Sequence, residues 1–233
     1  MDGILKGVAR FRCDVFPSQQ EIYRTLASEG QSPQALMISC SDSRVPAELI
    51  TQSGPGDLFV CRNAGNIVPP NAQPSGGVSA TIEYAIAALK IRHIIIMGHS
   101  DCGAMKGLLK PEMVEGAPNV ASWLRQARAA CEVVSQVYPA DMALADKVAA
   151  LAQENVHQQL IHLKTHPSVA RALAAGELTL HGWFFDIRSG QIMALDGESD
   201  RFVPLDPEAP VCAAKPAASP RAAVRDPLLM AAE

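Results

Sequence analysis

Short apolar runs that stop abruptly at polar residues alternate with stretches of helical periodicity along the first half of the chain. Residues 34 to 40, with Ala35-Leu36-Met37-Ile38 at their centre, predict a buried strand that ends at polar residues. Asp57-Leu58-Phe59-Val60-Cys61-Arg62 predicts a second strand, and Ile91 to Met97, around Ile94-Ile95-Ile96, a third. Between the second and third, residues 76 to 90 read as a helix after Ser75-Gly76-Gly77, with Val78, Ile82, Ile86 and Leu89 on one face. Strand, helix and strand joined by short links imply parallel pairing and a right-handed crossover. Pro46 to Ile50 suit a short helix with proline near its first turn.

Before the first strand, residues 4 to 30 read as mostly helical, interrupted at Phe16-Pro17-Ser18. Ser18 is the expected N-cap of the second part, with Glu21 at the capping-box position and Gly30 as the stop. Further on, residues 119 to 137, 142 to 164 and 168 to 175 read as helices. Two apolar runs between Leu180 and Leu195 flank Ser189-Gly190, a hairpin signal. The expectation is an α/β fold: a central, mostly parallel β-sheet flanked by helices, with an N-terminal helical arm over residues 1–30 and a C-terminal hairpin or edge strand. The α/β domain is expected to span residues 31–203. Residues 204–233 are rich in Pro and Ala and suit a partly ordered tail.

The 233 residues suffice for one large domain, and nearly half of them are hydrophobic, enough for a sizeable core. Net charge is −4 with both signs mixed, so no basic stripe marks a nucleic-acid surface. No apolar run approaches the ~20 residues of a membrane span. The segment Met1 to Lys6 lacks the features of a signal peptide, which predicts a cytoplasmic protein with reduced thiols. Six cysteines in a chain of this length are not a disulfide framework.

The chemistry gathers at two strand ends. The first predicted strand runs into "CSDSR", Cys40 to Arg44, and the third into "GHSDCGAMKG", Gly98 to Gly107. Cys40, His99 and Cys102 thus fall at the C-terminal ends of two parallel strands, where open α/β sheets hold their ligands. Two sulfurs and one imidazole nitrogen suit zinc. Taken singly, a cysteine at a strand end is more often an ordinary buried apolar residue. Asp42 stands two residues from Cys40 and can approach either a metal or its water. Arg44 is placed for a forked contact with that carboxylate. The same pair also fits an ordinary loop salt bridge.

"CSDSR" followed by "HSDCG" resembles the β-class carbonic anhydrases, and "PGDLFVCRNAGNIVPP" (55–70) and "GGVSATIEYAIAALK" (76–90) resemble that family's intervening segments. The likeness runs through residues 31 to 108. It implies one zinc ion per subunit held by Cys40, His99 and Cys102, a parallel sheet, and reversible hydration of carbon dioxide to bicarbonate. Zinc lowers the pKa of a bound water from ~16 to ~7 in favourable sites. Asp42 would then orient zinc-bound hydroxide and Arg44 would restrain Asp42. Released by Arg44, Asp42 becomes the fourth ligand of a closed state.

Bicarbonate-inhibited members carry Trp and Gly where this chain has Met37 and Ser39. The plant-like, open-site subtype carries a Gln at the position of Gln31. By the same alignment Phe59 and Tyr84 fall on substrate-pocket positions, and Gly103 on a backbone donor. Ala88 stands where some plant members have a proton-shuttling His. Arg62 is expected to order the loop of Asn63 and Asn66. The resemblance also implies that the N-terminal arm lies across a neighbouring subunit, giving a homodimer or a dimer of dimers. Alternatives on the same residues are a hydrolase for carbonyl sulfide or carbon disulfide, a non-catalytic zinc-stabilised binding domain, and thiol redox chemistry, the last disfavoured by the absence of C-x-x-C.

Overall fold

Three apolar runs become the centre of a sheet: Ala35–Cys40 (β1), Leu58–Asn63 (β2) and His93–His99 (β3). Thr179–Phe185 (β4), Ile192–Asp196 (β5) and Arg201–Pro204 (β6) complete it in the order β2-β1-β3-β4-β5-β6. The computed structural model describes residues 1–72 and 76–205. Ser75, expected at a helix start, Cys212 and all but the first two residues of the expected tail lie outside them. The first four strands are mutually parallel and the last two antiparallel. The helices are Asp2–Arg10 (α1), Phe16–Glu29 (α2), Ala47–Thr51 (α3), Gly77–Ala87 (α4), Gly103–Leu109 (α5), Pro118–Leu124 (α6), Arg128–Val137 (α7), Leu144–Leu163 (α8) and Pro167–Ala174 (α9).

Strand alternation sends β1 and β3 side chains to two different cores. Leu36, Ile38, Ile94 and Ile96 pack with α4 and α8 residues such as Ile82, Ile86, Leu151 and Val156. Met37, Ile95 and Met97 pack on the other face with Val45 and Ala47, at the start of α3. Full burial of each such side chain stabilises the fold by roughly 1.5–3 kcal/mol. Two glycines let α8 approach the sheet. A Cβ on Gly98 would meet Val156 at 2.9 Å and the Ala152 carbonyl oxygen at 3.0 Å, and one on Gly182 would meet Val156 at 2.9 Å.

Several expectations need correction. Ser18 is not an N-cap: α2 begins at Phe16, and the Ser18 hydroxyl donates back to the Val15 carbonyl at 2.7 Å. The arm is not broken at Pro17 but passes through a π-helical turn, Phe11–Val15. Proline has no N–H to continue the ladder and crowds the carbonyl four residues back, so the chain widens there. The helix expected over 119–137 is split by a 3-10 turn, Arg125–Ala127, into α6 and α7. α5 was hidden inside a glycine-rich motif that reads as a loop. Both halves of the expected hairpin exist around Gly190, whose φ is 73°. Its first half also pairs in parallel with β3, and β6 adds a further strand that its four residues are too few to signal.

Candidate metal centre

The end of β1 and the end of β3 lie side by side, and each delivers one ligand-type side chain. Cys40 is the last residue of β1, His99 the last of β3, and Cys102 caps the N-terminus of α5. All three are buried, and their ligand atoms lie within 4.8 Å of one another. Among the described residues no other group of three or more His, Cys, Asp or Glu gathers in this way.

The local chemistry fits a thiophilic divalent ion. His99 Nδ1 lies 2.8 Å from the Ser100 carbonyl oxygen, which accepts its proton, so Nε2 carries the lone pair. That Nε2 is buried with no hydrogen-bond partner, a costly state unless something electrophilic meets it. The contact with Cys102 pulls the Cys40 thiol below its usual value against the effect of burial, and the same contact, together with burial, pushes Cys102 up. A divalent cation bound by both sulfurs would favour two thiolates there. The Gly65 N–H donates to Cys40 Sγ at 3.4 Å. Gly65 has φ of 80°, and a Cβ there would strike Ala104 at 2.9 Å, so only glycine brings its amide to the sulfur.

Asp42 and Arg44 meet as their spacing predicts. Arg44 Nε donates to Asp42 Oδ1 at 2.9 Å and Nη2 to Oδ2 at 2.8 Å. The Arg44 backbone N–H adds a bond to Oδ1 at 3.0 Å. The Arg44 guanidinium holds the Asp42 carboxyl well below the usual carboxylate range. The same guanidinium reaches the loop after β3, with Nη1 donating to Asp101 Oδ2 at 2.8 Å. Lys106 pairs with the other oxygen of Asp101. Lys106 first, then Arg44, brings Asp101 down to about 2. Asp101 and Lys106 are site residues that motif reading passed over, although both stand inside "GHSDCGAMKG".

Three further supports were not legible. Arg62 does not order its own loop. It clamps the neighbouring segment, with Nε donating to the Cys40 carbonyl at 3.0 Å and Nη2 to the Asp42 carbonyl at 2.7 Å. β2 lies beside β1, so a long side chain at its end reaches across. The loop after β3 is held to β4: Ser100 Oγ donates to Asp186 at 2.9 Å and the Ser100 N–H to the Phe185 carbonyl at 2.9 Å. Finally, one face of α8 grips the loop that carries Gly65. Asn155 donates to the Gly65 carbonyl at 2.9 Å, Gln159 accepts from the Val68 N–H at 2.8 Å, and His162 Nδ1 donates to the Val68 carbonyl at 2.7 Å. His166, beyond the end of α8, contacts the Pro69 carbonyl at 3.0 Å.

The remaining expected residues are placed as follows. Gly103 is the exposed first residue of α5, and a Cβ there would meet no atom within 4 Å. Gln31 is exposed before the start of β1. Phe59 and Tyr84 touch, with ring centroids 5.9 Å apart, and Tyr84 is 52% exposed. Phe59 pairs with Leu36, whereas Cys40 pairs with Asn63. Four residues of strand, ~13 Å, therefore separate Phe59 from the level of the cluster. Gln31, Phe59 and Tyr84 stand at the opposite end of the sheet from this chain's own cysteines.

Known proteins resemble this chain over most of its length. The family model described as carbonic anhydrase matches residues 35–192. A carbonic anhydrase of Pseudomonas aeruginosa is 50% identical over 205 residues, 88% of this chain and 92% of that protein. The solved structure of the β-carbonic anhydrase CcaA superposes with a TM-score of 0.84 at 43% identity, covering 88% of this chain and 98% of that one. A tetrameric β-carbonic anhydrase of Sordaria macrospora gives a TM-score of 0.73 at 34% identity, covering 83% and 95%. With a family model matched over residues 35–192 and relatives of this identity and coverage, this chain belongs to the β-class carbonic anhydrase family.

Proposed function

We propose that this protein catalyses the reversible hydration of carbon dioxide to bicarbonate and a proton, using one zinc ion held by Cys40, His99 and Cys102. The observation that carries the reading is the buried, unpartnered His99 Nε2 gathered with two buried cysteine sulfurs, beside a carboxylate held by a fork of donors. When bound, zinc supplies a Lewis acid that brings the ionisation of water close to neutral pH. The protein's own part is positional. Arg44 occupies both oxygens of Asp42 and fixes their direction, so Asp42 offers an aimed acceptor to the proton of the attacking water. Arg62 holds the backbone on either side of Asp42 in place.

The open-site, plant-like subtype is the form we assign. Asp42 is turned to Arg44 and stands outside the group of converging ligand atoms, so a zinc ion held by those three atoms would keep a position for water. A closed-shell binding domain would need Asp42 as a permanent ligand, at the cost of its three bonds from Arg44. Gly103 follows Cys102 with its backbone exposed, suited to contact bicarbonate. Gln31, Phe59 and Tyr84 serve as substrate contacts only when presented to the cluster of a second copy. That fits a homodimer or dimer of dimers, and the Sordaria macrospora relatives are tetrameric. Carbon dioxide, bicarbonate and a second copy are therefore the partners. We assign the protein to the cytoplasm, in keeping with the free state of Cys13, Cys40, Cys61, Cys102 and Cys131. Among the described residues no helix is long and apolar enough to cross a membrane.

Stopped-flow hydration on zinc-loaded protein tests the assignment. Asp42→Asn is expected to keep its zinc, measured by elemental analysis, and to lose roughly a hundredfold or more in rate. Wild type with full zinc and no turnover of carbon dioxide overturns the proposal. Faster consumption of carbonyl sulfide than of carbon dioxide would move the assignment to the hydrolase.

A further inference from the structure

Two imidazoles outside the cysteine cluster meet near the start of β3. His93 opens β3 and His181 lies on β4. The register pairs His93 with Thr179, so His181 is its diagonal neighbour on the same face. Their rings meet edge to edge, with His93 Nδ1 and His181 Nε2 3.1 Å apart and ring centroids 5.3 Å apart. His93 is exposed and His181 half-buried, so solvent reaches the pair. Six residues of β3, ~20 Å, separate His93 from His99.

We propose that His93 Nδ1 and His181 Nε2 form a second, peripheral site for a divalent transition ion of the imidazole-binding kind: Ni2+, Cu2+ or Zn2+. The separation matches a chelate. Two nitrogens bound to one ion at 2.0–2.1 Å lie ~2.9 Å apart at a right angle and ~3.3 Å apart at the tetrahedral angle. The observed 3.1 Å falls between these, on two hydrogen-bonded strands that fix both backbones. The His181 ring is favoured in its neutral form, because burial, then the neighbouring His93, push it below the usual imidazole value. On binding, the proton shared between Nδ1 and Nε2 leaves that edge, and the same ring takes one up at its far nitrogen. No net charge is lost. His93 stands in solvent, where water would satisfy it equally well. Among the described residues no third His, Cys, Asp or Glu joins the two, so water completes the shell and exchange is fast.

Calorimetric titration of untagged, zinc-loaded full chain with Ni2+ tests the site. One Ni2+ per chain is expected, with zinc retained by elemental analysis. His93→Ala and His181→Ala should each bind roughly tenfold or more weakly, since two linked ligands act as one chelate. His93→Ala removes an exposed side chain and should leave circular dichroism and carbon dioxide hydration unchanged. Wild type that takes up no Ni2+, or two variants that bind Ni2+ as wild type does, overturns the proposal.

Discussion

Arg44 shows how much one side chain can join. It binds both oxygens of Asp42 after β1 and one oxygen of Asp101 after β3, so two loops that each carry metal-type ligands share a guanidinium. Replacing it removes the group that keeps Asp42 ionised. Both carboxyls are held low in the folded state, so their contribution to stability is complete above the ordinary unfolded value of ~3.9 and drains as pH falls through the folded values. Arg44→Ala is therefore expected to be less stable than wild type in urea melts at pH 5 to 7. The two curves should draw together below about pH 4. An equal gap at every pH would contradict the ion-pair account. Cys40, Asp42, Arg44, His99 and Cys102 were legible because ligand type, spacing and strand ends coincide in two short motifs. The Gly65 amide and the Arg62 clamp were not legible, since both act across strands through backbone atoms that sequence does not label.

At the level of elements, strands and helices were readable wherever apolar periodicity ran long enough, as in β1, β3, α4 and α8. The short α5 and β6 escaped because seven and four residues hold too little pattern to separate from a turn. α8 reads in sequence as one more amphipathic helix, yet its buried Asn155, Gln159 and His162 hold the loop that supplies the Gly65 amide. Burial pushes the His162 imidazole below its usual value, and does the same to His166. The folded protein thus binds fewer protons than the unfolded chain just below ~6.5. Stability from these residues is complete above that pH and declines as pH falls past it. His162→Asn keeps a donor for the Val68 carbonyl and removes the titration. It should cost roughly 1–3 kcal/mol at pH 7.5 and show a shallower fall towards pH 5.5 in chemical denaturation. A slope as steep as that of wild type would remove His162 from the account.

The whole molecule shows an imbalance between its arm and its body. The sheet and its helices bury two cores, whereas α1, the π-turn and α2 contain no buried residue. Phe11, Phe16 and Tyr23 cluster among themselves, and Ile4, Leu5, Val8, Val15 and Ile22 are exposed. An apolar stripe of this extent marks an interaction surface. If the proposed dimer forms through this arm, deleting residues 1–30 is expected to lower the mass in light scattering to that of a single chain and to depress hydration, because Gln31, Phe59 and Tyr84 would lose the partner's site. Truncated protein with unchanged mass would refute this. Shelter that no described part of the same polypeptide provides has to arrive by collision. Ordering of this segment is then second order in protein, the melting temperature climbs with concentration, and serial dilution unpicks the arm while the sheet still stands.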